Sequence, residues 1–128
     1  MKVLIDTHTF LWWNTEDPLL SLHAKQILAN GQNEVFLSAA SVWEIFIKTA
    51  KGRLILPEPP ALYISNRMNL YRFRPLAVQI SHTVHVYELP PYHNDPFDRM
   101  LIAQSHLESL PLVTKDEDIQ RYDLETIW

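Results

Sequence analysis

Acidic residues stand where this chain's short apolar runs end. Asp6 directly follows Val3-Leu4-Ile5, and Thr114 and Asp116 follow Leu112-Val113. Glu44 lies early in an apolar-faced segment after Val35-Phe36-Leu37, and Asp95 and Asp98 flank Pro96-Phe97. If the apolar runs are parallel strands, these carboxylates meet at one edge of a sheet. Two like charges about 5 Å apart repel by roughly 3 kcal/mol at an effective dielectric near 20, so such a cluster calls for a cation. Mg²⁺ or Mn²⁺ prefers oxygen ligands and keeps several waters. An ion of that kind activates water and stabilises charge on a phosphate. Cysteine is absent, which excludes thiolate zinc sites and thiol nucleophiles. The pattern points to phosphodiester hydrolysis.

Each acid also has a purely structural reading. Asp6 fits a strand-end turn. Ser41 and Glu44 have the spacing of a helix capping box, and Glu44 with Lys48 makes an i, i+4 ion pair. Asp95 before Pro96 reads as a helix N-cap, which is the role assigned to it here. Asp98 complements a helix dipole. Asp116 opens the acidic run Lys115-Asp116-Glu117-Asp118. Their convergence, and no single member, carries the functional argument.

The elements that must position these residues alternate in type. Val3–Ile5, Val35–Leu37, Leu76–Val78, Leu110–Thr114 and Glu125–Trp128 read as short strands. Thr9–Trp13 reads as a helix or turn. Ser21 caps a helix with Leu22, Ile27 and Leu28 on its apolar face, stopped by Asn30-Gly31. Ser38 or Ser41 opens a helix to about Lys51, with Val42, Ile45 and Phe46 on one face. Further helices are expected over 61–71, over 80–87 with Ile80, Val84 and Tyr87 on one side, and from Pro96 to about Glu108. Alternation of this kind means an α/β fold. Continuous apolar strands suit a mostly parallel sheet covered on both faces, and ligands in such sheets bind beyond the strands' carboxyl ends.

The chain has 128 residues, 47% of them hydrophobic, enough for one domain with its own core. No leader peptide and no membrane-length apolar run is recognisable, and a cytoplasmic setting is expected. The formal charge of −4 argues against a passive electrostatic nucleic-acid binder. It is compatible with a nuclease, whose site is locally acidic.

With those positions in hand, the chain resembles the PIN-domain family, and within it the VapC-type toxins of bacterial toxin–antitoxin pairs. Met1-Lys2-Val3-Leu4-Ile5-Asp6-Thr7-His8 resembles the opening strand and first acid. The stretch Ser38-Ala39-Ala40-Ser41-Val42-Trp43-Glu44-Ile45 resembles the second-acid helix. His93-Asn94-Asp95-Pro96-Phe97-Asp98-Arg99-Met100-Leu101-Ile102-Ala103-Gln104 resembles the third-acid segment and is the most specific. Leu112-Val113-Thr114-Lys115-Asp116 resembles the fourth. The resemblance implies a three-layer α/β/α fold with four to five short strands over residues 1–128. It implies that Asp6, Glu44 and Asp98 bind Mg²⁺ or Mn²⁺, with Asp116 as a more variable fourth acid and Thr114 beside it. It further implies RNA cleavage, a homodimer and inhibition by a small antitoxin.

Arg99, beside Asp98, is expected either to touch phosphate or to pair with a ligand carboxylate. Lys48 belongs with Lys51 and Arg53 to a small basic cluster that can meet an RNA backbone or simply close a helix end. His82 and His85 have a metal-binding spacing but lack an evident third ligand, so they read as an ordinary helix face. Trp12, Trp13, Trp43 and Trp128 read as core or interface residues. Three alternatives use the same residues: a nuclease or phosphatase for another substrate, a catalytically inactive PIN-fold binding module, and a phosphoacceptor domain. The last needs an aspartate after Val35-Phe36-Leu37-Ser38, and Ala39 stands there.

Overall fold

The central strand is written almost wholly in buried apolar residues. In β1 (Lys2–Ile5), Val3, Leu4 and Ile5 are all fully inaccessible. Such a strand must be covered on both faces, and the computed structural model, which describes residues 1–128, shows that it is. β1 pairs in parallel with β2 (Glu34–Ser38) on one side and β4 (Leu112–Val113) on the other. β3 (Arg74–Leu76) and β5 (Thr126–Ile127) complete a five-stranded, all-parallel sheet of order β3-β2-β1-β4-β5.

Side-chain alternation divides the core between the two faces. Val3, Ile5, Val35, Leu37, Val113 and Ile127 join one cluster with residues of α1 (Thr7–Thr15), α2 (Leu22–Ala29), α3 (Ala39–Ala50) and α4 (Pro60–Tyr71). Leu4 and Leu112 join a second cluster with Leu101 and Ile102 of α6 (Pro96–Glu108) and with Leu89, Leu110, Ile119 and Tyr122. The helix α5 (Ile80–Glu88) packs on α6. The result is a three-layer α/β/α fold with six helices. No helix is long and apolar enough to cross a membrane.

Several elements differ from expectation for identifiable reasons. The third strand is Arg74–Leu76, not Leu76–Val78: it is an edge strand, where Pro75 is tolerated and Arg74 pairs with Glu34 at 2.9 Å. Leu22 is 72% exposed, and Ala24 takes its place beside Ile27 and Leu28. Ser38, not Ser41, caps α3, accepting from the Ala40 N–H at 3.0 Å. The capping box of Ser41 with Glu44 is therefore not formed, which frees Glu44 for other partners. Ile80, Val84 and Tyr87 do share one side of α5, but that side faces outward, at 83%, 53% and 90% exposure.

The register sets up the site. Ile5 pairs with Leu37 and with Val113, so Asp6, Ser38 and Thr114 leave the sheet at the same level of its carboxyl edge.

Candidate active site

Asp6 is both a helix cap and a buried acid. Its Oδ1 accepts from the Thr9 N–H at 2.8 Å and so starts α1. Its Oδ2 accepts from Thr114 Oγ1 at 2.5 Å. Thr9 Oγ1 in turn donates to the Val113 carbonyl at 3.1 Å, tying α1 to β4. Burial pushes the Asp6 carboxyl above its ordinary range, and the hydrogen bonds from Thr114 and Thr9 only partly oppose that.

Glu44 comes from the second turn of α3 and is also buried. Thr7 Oγ1 donates to its Oε1 at 2.6 Å, and Lys48 Nζ lies 3.0 Å from its Oε2. Thr7 follows Asp6 directly, so one short segment holds the first acid and orients the second.

Asp98 occupies the first turn of α6, below its N-cap Asp95, whose Oδ1 accepts from the Phe97 and Asp98 N–H groups at 2.9 and 3.0 Å. Asp98 feels the other acids most strongly. Burial, then the negative charges of Asp95, Asp116, Asp6 and Glu44, push its carboxyl up to about 8. No lysine or arginine pairs with Asp6 or Asp98; the one basic neighbour of Asp98 is His93, with Nε2 at 3.3 Å from Oδ2.

Asp116 opens a turn and also stands close to the other acids. Its Oδ1 accepts from the Asp118 N–H at 2.8 Å, opening the 3₁₀ turn Ile119–Arg121. Its own N–H donates to Thr114 Oγ1 at 3.0 Å. Asp6, His8, Trp12, Lys115, Asp116 and Glu117 line a cleft of about 270 Å³ beside these carboxylates.

Among the other residues singled out in the sequence, the Glu44–Lys48 pair and the packing of Trp12, Trp13 and Trp128 match expectation, while Arg99 does not. Arg99 pairs with no carboxylate. Its guanidinium donates to the carbonyls of Pro90, Val86 and Leu89 at 2.8, 3.1 and 3.3 Å and to Tyr122 Oη at 2.9 Å. It thereby closes the carboxyl end of α5, where a cation meets the helix dipole favourably. Lys48 is engaged with Glu44 rather than standing free. His82 is buried and accepts from the Gln79 N–H at 3.0 Å, as part of the start of α5. Trp12, Trp13 and Trp128 pack against the core, while Trp43 is 63% exposed and meets Phe97 edge-on at 5.5 Å. Sequence reasoning did not find Thr7 as the partner of Glu44, nor Tyr122 as the partner of His93 and Arg99. The position of Thr7 directly after the first acid was the available signal; Tyr122 had none.

As they stand, no three of these side chains enclose an ion in a closed shell. The donor set nevertheless fits a hard divalent cation. It consists of carboxylate oxygens from four segments, buried or half-buried, mutually repelling and, Glu44 with Lys48 apart, without a lysine or arginine partner.

The PIN domain family model matches residues 3–125 of the chain. Ribonuclease VapC22 of Mycobacterium tuberculosis is 26% identical over 121 residues, which are 94% of this chain and 91% of that protein. Ribonuclease VapC16 of the same organism is 43% identical over 61 residues, 48% of this chain and 43% of that relative, so this match spans less than half the relative's length. Among solved structures, VapBC2 from Rickettsia felis bound to a promoter DNA fragment aligns with a TM-score of 0.68 at 15% identity, covering 99% of this chain and 98% of that one. FitAcB from Neisseria gonorrhoeae aligns with a TM-score of 0.67 at 20% identity, covering 100% and 97%. The structural likeness is one of fold, and the family match spans that same fold, so this chain belongs to the PIN domain family.

Proposed function

We propose that this chain is a divalent-cation-dependent endoribonuclease, the toxin of a VapBC-type toxin–antitoxin pair, working as one domain over residues 1–128 in the cytoplasm. The observation that carries the chemistry is the crowding of Asp95, Asp116, Asp6 and Glu44 around Asp98, whose carboxyl is pushed up to about 8 by burial first and by those charges next. The ribonuclease names of the relatives described above support RNA as the substrate. The fold shared with VapBC2, together with the VapC names of the relatives, supports a small VapB-like protein partner.

Asp6, Glu44, Asp98 and Asp116 would hold Mg²⁺ or Mn²⁺. When bound, the ion supplies positive charge at the scissile phosphate and eases deprotonation of water. The chain's own residues do the rest. Thr114 and the Thr9 N–H fix both oxygens of Asp6. Thr7 fixes one oxygen of Glu44, and Lys48 balances the charge of the other. Each carboxylate is thus turned by a neighbour before substrate arrives, and positioning of this kind lowers the reorganisation needed in the transition state. Hydrolysis adds water to phosphorus and expels one ester oxygen of the RNA backbone. Arg99, both of whose terminal nitrogens are engaged by carbonyls and Tyr122, acts on the scaffold and not on phosphate.

A homodimer belongs to the same reading, and the uncovered apolar side of α5 formed by Ile80, Val84 and Tyr87 supports it. The test is cleavage of a mixed RNA pool, with duplex DNA and a simple phosphate ester in parallel. RNA should be cut only with Mg²⁺ or Mn²⁺ present, and Asp6→Asn should abolish cutting. Equal cleavage with a chelator present, or by the Asp6→Asn protein, defeats the reading. Cleavage of DNA or the ester in preference to RNA would reassign the substrate.

A further inference from the structure

The hydroxyl of Tyr122 is buried in a chain of polar groups that none of the acids explains. Tyr122 is 4% exposed. Its Oη accepts from Arg99 Nη1 at 2.9 Å and from the His93 backbone N–H at 3.3 Å. A phenol oxygen has one proton to give and two lone pairs to receive with, so both acceptor places are filled. The single proton goes to the remaining neighbour, Nδ1 of His93, at 2.8 Å. Nδ1 is then an acceptor without a proton. The neutral ring carries its proton on Nε2, which is the nitrogen facing Asp98 Oδ2 at 3.3 Å.

Arg99 anchors the first link, because a guanidinium only donates. Its other bonds go to the carbonyls of Val86, Leu89 and Pro90. Those carbonyls belong to the end of α5 and the segment leading to His93, so the same side chain steadies the loop that carries the imidazole. His93 also stands edge-on to the Tyr122 ring at 5.4 Å, which limits rotation of both rings.

We infer that His93 is a positioning residue for Asp98, held in the Nε2–H tautomer by a one-way hydrogen-bond chain from Arg99 through Tyr122. The inference rests on the reading of Asp98 as a carboxylate that holds the cation. One oxygen of Asp98 is tethered by the imidazole N–H, and the orientation of the other follows. Groups that orient a metal-holding side chain in this way typically affect metal affinity by about 10- to 100-fold.

Two measurements test it. Long-range ¹⁵N–¹H correlation of the metal-free protein reads the tautomer of His93 directly. The Nε2–H form is expected in the wild type and a mixture in Tyr122→Phe; the Nδ1–H form in the wild type overturns the inference. Mn²⁺ titration followed by electron paramagnetic resonance reads the consequence without any RNA. His93→Ala should weaken Mn²⁺ binding by about 10- to 100-fold, and His93→Gln, whose amide N–H can replace Nε2–H, should recover most of it. Thermal melts establish that each variant is folded. Should the alanine variant not fold, Tyr122→Phe decides: mixed tautomers with weaker Mn²⁺ binding support the chain, and wild-type values overturn it. A wild type that binds Mn²⁺ and a folded His93→Ala that binds it equally defeat this inference alone. A wild type that binds no Mn²⁺ defeats the metal reading together with the role built on it.

Discussion

Thr114 Oγ1 donates to Asp6 Oδ2 at 2.5 Å, joining residues 108 positions apart in the chain. The same hydroxyl accepts from the Asp116 N–H, so it has no freedom to turn away. Replacing it by the isosteric valine should cost about 1.5–3 kcal/mol, the usual worth of a hydrogen bond to a charged group. Thr114→Ser should keep most of that. Urea unfolding in the presence of a chelator measures both, and a Thr114→Val protein as stable as the wild type would remove Thr114 from the site's framework.

Asp98→Asn separates stability from activity. It removes the carboxyl that burial and four acidic neighbours disfavour. Without metal, the variant should melt several degrees above the wild type at pH 8. RNA cleavage should fall on the order of 100-fold or more, as when a charge-organising group is removed from such a site. A variant that is both less stable and fully active contradicts this account of Asp98.

The pH dependence follows from the same residue. Asp98 keeps its proton to about pH 8 in the folded chain and loses it near 3.8 when unfolded. Between those values the folded state binds more protons, so stability falls as pH rises. The melting temperature of metal-free protein should decline from about pH 5 to pH 8 and level off above. Mn²⁺ should stabilise more strongly at pH 8 than at pH 6, because the ion competes with the proton. Melts at both values, with and without Mn²⁺, check the sign. The slope should be reduced in Asp98→Asn, the remainder coming from Asp6, whose carboxyl burial also raises.

Arg99→Lys tests whether this arginine serves the scaffold. An ammonium cannot span four acceptors that a planar fork reaches together. The carbonyls left without donors should lower stability by about 1–3 kcal/mol in urea unfolding. Undiminished stability with weakened RNA binding would restore a phosphate-contacting role.

The core has a sharper requirement at Ile102, fully buried against the face of the sheet that Leu4 contributes to. Ile102→Ala should cost about 2–5 kcal/mol, measurable by thermal or urea unfolding.

Much of this architecture is legible in the residues. Val3-Leu4-Ile5 announces a strand covered on both faces, and Asp95-Pro96 marks the start of α6 to the residue. The edge strand is not legible, because Arg74-Pro75-Leu76 has no apolar run and is recruited by pairing with β2. Sidedness is also lost at α5, where apolar spacing identifies a helix but not whether that side turns inward. In the site, the acids stand out because each ends or begins an element. Thr7 and Tyr122 do not, because their roles depend on which hydroxyl lands beside which partner. Arg99 shows the converse hazard: proximity to Asp98 in sequence points toward phosphate, while in space the side chain reaches back to α5.

Because strand β1 sits between β2 and β4, the surroundings of Asp6 are complete only once a segment 108 positions further along the chain has joined the sheet. A stretch of chain that stops short of Leu112 holds Asp6, Glu44 and Asp98, yet without Thr114 the first acid keeps only its bond from the Thr9 N–H. Assembly of the acid cluster is therefore tied to completion of the whole sheet and not to the segments that carry most of its acids.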